Sequence, residues 1–140
     1  MSAMPRRYPP DNPSEWLSRA KSNMIMAKNR VAGVYLEDLC FDAQQAAEKA
    51  IKAVLIQLKV EYPYVHDLAE LLTLVEKAGK GVPAPVKQAS RLTRYAVVVR
   101  YPSAFEPITK EEYQLALTIA DATVRWATEF LCGEEHKKAT

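Results

Sequence analysis

From Lys77 to Phe105 the chain carries Lys77, Lys80, Lys87, Arg91, Arg94 and Arg100, and not one Asp or Glu. Lys87, Arg91 and Arg94 are spaced four and then three apart, which on a helix sets them in one stripe. Arg100 follows, beside Tyr101 and a proline-containing loop. A cationic stripe of one sign with neighbouring tyrosines suits contacts to phosphate, with ring stacking available. The plain alternative is a solvated face, with Arg100 offsetting the negative end of a helix dipole. His66 is a candidate for proton chemistry, because an imidazole titrates near neutrality. Its position directly before Asp67 equally suits capping or packing.

Other familiar sites are excluded by spacing. Gly79-Lys80-Gly81 lacks the spacing of a phosphate loop and follows a helix instead of a strand. Pro63 and Gly133 stand where a Glu-x-x-His pair would need its glutamates. No Gly-x-Ser-x-Gly elbow occurs. Two distant histidines and no Cys/His cluster argue against a metal, and no cofactor is expected.

The elements that must position the basic stripe are helical. The organising one runs from Leu36 to Leu58, with Leu39, Cys40, Ala43, Ala46, Ala47, Ala50 and Val54 on one face. Asp38, Asp42, Gln45, Lys49, Lys52 and Lys59 mark the opposite, polar face. Its alanine seam lets neighbouring backbones come close, so partners are expected on more than one side. Asn12-Pro13-Ser14-Glu15 opens a first helix that ends near Gly33, with Trp16, Leu17, Ala20, Met24, Ala27 and Val31 inward. His66-Asp67 opens a third with Leu68, Leu71, Leu72 and Val75 inward. A fourth spans roughly Ala84 to Val99, although Val97-Val98-Val99 is strand-like in type. Thr109-Lys110-Glu111-Glu112 starts a last helix reaching Gly133.

The chain has 140 residues, 49% of them hydrophobic, enough for one domain with its own core. A net charge of +2 is too small to indicate a nucleic-acid arm; only its distribution is informative. Two widely separated cysteines suggest neither a disulfide framework nor a zinc site. No signal-peptide core and no membrane-length apolar run occur, so a soluble cytoplasmic protein is expected. The domain is expected at 12–133, with a disordered leader at 1–11 and a frayed tail at 134–140.

Three stretches carry a resemblance to the HEPN family of small helical domains: Asp38 to Leu55 with Phe41-Asp42-Ala43-Gln44-Gln45-Ala46-Ala47-Glu48-Lys49, then His66-Asp67-Leu68 with Leu71-Leu72, then Leu92-Thr93-Arg94-Tyr95 running into Arg100-Tyr101-Pro102. The resemblance implies an all-α, four- to five-helix antiparallel up-and-down bundle that forms a homodimer. It also implies a minimal nucleotidyltransferase as partner in a toxin–antitoxin-like pair, and either nucleotide binding or metal-independent ribonuclease activity. The ribonuclease members use an Arg-(four to six residues)-His motif. Here Glu61, Val60 and Lys59 precede His66 at those distances, and Leu131, Phe130 and Glu129 precede His136, so the motif is absent.

The expected function is therefore non-catalytic. A basic groove of Lys87, Arg91, Arg94, Arg100 and Tyr101 would bind a nucleotide or RNA phosphate, or the protein would pair with a nucleotidyltransferase. One alternative is a purely structural dimeric adaptor. Another is a ribonuclease that recruits His66 with Arg94 or Arg100 from separate helices.

Overall fold

A computed structural model describes residues 4–101 and 106–139. Helix α1 spans Pro13–Lys28, α2 Leu36–Gln57 and α3 Leu68–Lys77. A fourth segment consists of a single turn, α4 (Ala84–Lys87), a 3-10 helix (Gln88–Leu92) and another turn, α5 (Tyr95–Val98). Helix α6 spans Lys110–Ala139. The protein is an all-helical bundle, with no strand among the described residues.

Local chemistry sets the helix starts. Asn12 Oδ1 accepts from the Ser14 N–H at 2.9 Å, and Asp67 Oδ1 from the Ala69 N–H at 3.0 Å. Thr109 Oγ1 accepts from the Glu112 N–H at 3.1 Å, the first half of a capping box. Helix α3 closes in a Schellman turn. The Lys80 N–H reaches Val75 O, the Gly79 N–H reaches Glu76 O, and Gly79 takes φ +91°.

α2 is enclosed on nearly every side. From residue 43 to 55 only Gln45 and Lys49 are not buried. α1 runs antiparallel to α2: Trp16 lies near Lys52 and Asn23 near Asp42. α6 packs on both, with the Tyr113 hydroxyl donating to Ala27 O at 2.5 Å. α3 and the fourth segment cover the remaining sides of α2. Alanine at 43, 46, 47, 50 and 53 makes this possible, because a methyl side chain lets several neighbours approach one axis.

Three sequence expectations change here. α1 ends at Lys28, not near Gly33, and Val31 is exposed; Gly33, at φ +90°, instead shapes the turn into α2. Lys52, expected on a polar face, is buried. α6 continues past Gly133 to Ala139, since one helical glycine costs only ~1 kcal/mol and does not stop a long helix. Residues 4–11 have no regular secondary structure but are tied to α1 through Tyr8 N–H to Glu15 and Trp16 Nε1–H to Pro10 O. Pro102 lies outside the described residues.

The fourth segment is the largest departure. A continuous helix from Ala84 to Val99 is replaced by turns closed mostly by bonds to the third residue back: Thr93 to Ser90, Ala96 to Thr93, Arg100 to Val97 and Tyr101 to Val98. The apolar residues explain why. Val86, Ala89, Leu92, Tyr95 and Val98 are all buried and recur every third residue. Three residues per turn keep such a row on one line, whereas an α-helix at 3.6 per turn rotates it off the core.

Candidate functional site

The three-residue repeat also sorts the cations. Arg91, Arg94, Val97 and Arg100 form the next row and are all exposed, so three arginines share one edge. Lys87 falls outside that row. Its ammonium lies 3.7 Å from Glu76 Oε2 of α3, an exposed pair. Tyr101, 61% exposed, follows Arg100 at the end of the edge.

Arg94 stands over the ring of buried Tyr95 at 5.4 Å, with a guanidinium nitrogen 3.8 Å from Glu112 Oε2 at the start of α6. Arg91 reaches only Gln88 Oε1, at 3.4 Å. Between this edge and α6 lies a shallow groove of about 280 Å³, lined by Arg91, Arg94, Tyr95, Glu112 and Leu115. The geometry offers cations at a rim over an aromatic ring, with one carboxylate competing for them.

A second charged cluster lies inside the bundle. Glu48 and Lys52 of α2 are buried and paired, Nζ to Oε2 at 3.0 Å. Gln44 Nε2 donates to Glu48 Oε1 at 2.9 Å, and His66 Nδ1 sits 2.8 Å from the same oxygen. A carboxylate only accepts, so His66 donates to it through Nδ1. The His66 side chain is half exposed. Lys52 Nζ also lies 5.7 Å from the Trp16 ring and 5.5 Å from the Tyr62 ring. Burial alone would push the Glu48 carboxyl up, but hydrogen bonds from His66 and Lys52 hold it below the ordinary range. The cluster ties the segment before α3 to α1 and α2.

Sequence reasoning singled out His66 and missed its partners. The signal was present: Gln44, Glu48 and Lys52 recur every fourth residue inside an alanine seam, a polar stripe where an amphipathic helix would be apolar. His66 and Arg94, joined in the ribonuclease alternative, are held by different carboxylates, Glu48 and Glu112.

Other reactive groups are inert or dispersed. Burial pushes the Cys40 thiol up to about 12, which leaves it protonated. Among the described residues no group of three or more His, Cys, Asp or Glu could hold a metal ion. Nor, among them, is any helix long and apolar enough to cross a membrane.

Comparison with known proteins bears on this arrangement. A profile of the HEPN domain matches residues 13–131. The crystal structure of an archaeal HEPN homologue superimposes with a TM-score of 0.66 at 26% sequence identity, covering 84% of this chain and 95% of the archaeal one. No curated protein matches at a significant level.

Proposed function

The chain belongs to the HEPN domain family, and on that premise we propose that it is a non-catalytic member whose arginine edge binds the phosphate of a nucleotide or RNA. Arg91, Arg94 and Arg100 are the ligands, and Tyr101 offers a ring for stacking. Lys87 contributes at longer range from its place beside Glu76. The observation that carries this reading is the row of three exposed arginines in a stretch, 77–105, without a carboxylate of its own. Glu76 and Glu112 reach Lys87 and Arg94 from other helices only at 3.7 and 3.8 Å, in exposed pairs. Such pairs are worth ~0–1 kcal/mol, less than a charge-assisted bond to phosphate.

Binding of a fluorescent single-stranded RNA and of a labelled nucleotide, each at two salt concentrations, tests the assignment. Replacing Arg94 and Arg100 with Ala should weaken binding about tenfold or more and flatten its salt dependence. Glu112→Gln, which frees Arg94, should strengthen it. Equal affinity in the double variant would sink the proposal. The same reading includes a homodimer and a minimal nucleotidyltransferase partner. A ribonuclease would need His66 at one centre with Arg94 or Arg100; the separate carboxylate partners of His66 and Arg94, Glu48 and Glu112, favour binding without cleavage over the Arg94 version.

A further inference from the structure

Away from the arginine edge, residues 7–10 cross the start of α1 and close a pocket of about 460 Å³ against α1 and α2. Arg7, Arg19 and Lys49 line it together with Tyr8, Trp16 and Glu15. We propose that this pocket is a second, independent site that takes a phosphomonoester, its anion among the three cations and its organic part against Trp16.

The charges are arranged as such a ligand requires. Among the described residues Glu15 is the only carboxylate in the lining, and both its oxygens are committed. Oε1 accepts from the Tyr8 N–H at 2.9 Å, and Oε2 pairs with Arg19 Nε. Tyr8 and Arg19 accordingly hold its carboxyl below the usual range. The Arg19 pair uses only Nε, so the terminal guanidinium nitrogens are left for a ligand.

Lys49 is the more telling group. It is half-buried, and its ammonium donates to a neutral acceptor, Asn23 Oδ1, at 2.7 Å. Among the described residues no carboxylate comes within ion-pairing distance of it. The carboxylates next in line are committed elsewhere: Glu48 to Lys52 and His66, Asp42 to the Asn23 amide at 3.3 Å. Burial, then the repulsion of Arg19, pulls the Lys49 pKa down. A half-buried cation with no carboxylate in ion-pairing range, repelled by Arg19 and attracted by Glu48 and Asp42 only from beyond that range, is relieved when an anion enters.

The walls suit an organic substituent. Trp16 Nε1 donates to Pro10 O at 2.8 Å, which fixes the indole and the N-terminal segment against each other. The ring surface and Pro10 then offer apolar contact beside the cations, a combination that inorganic phosphate does not need.

The test reads Trp16 alone, in a Trp126→Phe background. Among the described residues the buried Trp126 indole N–H has no partner, so phenylalanine removes an unpaired donor and keeps a smaller aromatic side chain in its place. Phenyl phosphate should change Trp16 emission saturably and bind about tenfold more tightly than inorganic phosphate, the difference being burial of the ring. Lys49→Gln and Arg7→Gln should each weaken it about tenfold, the loss of one charge-assisted contact. Arg7 is exposed, so its variant tests the site without touching the core. Arg94→Ala/Arg100→Ala should leave this binding unchanged, which separates it from the arginine edge. No saturable change, equal affinity for the two phosphates, or unaltered affinity in the Arg7 variant would overturn the proposal.

Discussion

At the scale of single residues, the cluster around Glu48 sets the response to acid. Its carboxyl titrates below the ordinary value of 4.5, so its contribution to stability is complete above that pH. That contribution is lost as pH falls through the lowered value. Glu15 acts in the same direction, while Asp42, raised by burial, acts against both. Urea unfolding across pH should show stability declining from about 4.5 downward, with a shallower decline in Glu48→Gln. That variant strands the Lys52 ammonium and should also cost ~3 kcal/mol at neutral pH, whereas Glu48→Gln/Lys52→Met should recover most of the loss and keep the shallow acid limb. An acid limb as steep as the parent's would remove Glu48 from the account. His66 was legible in the sequence as a candidate side chain at a helix start. That Lys52 would be buried was not, because seeing it requires knowing that Trp16 and Tyr62 close over it.

At the scale of elements, helix starts were readable and the middle of the fourth segment was not. Asn12, Asp67 and Thr109 act on amides two or three residues away, so sequence neighbours suffice to identify them. The fourth segment depends on which neighbours its apolar row must meet. Its three-residue repeat is visible once sought, but four-and-three spacing of the cations suggests an ordinary helix instead. Tertiary contact decides: Thr93 Oγ1 accepts from the Leu68 N–H at 3.1 Å, fastening this segment to the start of α3. The exit from α3 is set by Gly79, which nothing crowds but whose φ of +91° disfavours any side chain. Gly79→Ala should therefore lower stability by ~1 kcal/mol in thermal or denaturant unfolding without altering binding at the arginine edge. A change well under half that size would mean the turn relaxes at little cost.

At the scale of the whole molecule, the bundle follows from a helix that offers small residues on most of its surface. The sequence showed one alanine seam and predicted neighbours on more than one side. It did not show that only Gln45 and Lys49 would remain half-open between residues 43 and 55, since enclosure depends on where α3 and the fourth segment return. The two charged sites sit differently in this plan. The arginine edge lies on the irregular outer segment, whereas Lys49 of the enclosed helix lines a pocket closed by the N-terminal coil. Ligand occupancy at the first need not disturb the core. At the second it bears directly on α2.

The enclosure of α2 also sets a clock. Most amide hydrogens of residues 43–55 are covered by the surrounding helices, so in heavy water this stretch should exchange last, at a rate set by global opening. Those of 88–101, on short turns with one side open, should exchange first among the helical segments. Mass spectrometry of proteolytic fragments would read both, and matching rates for the two stretches would mean that the outer segment does not open without the rest.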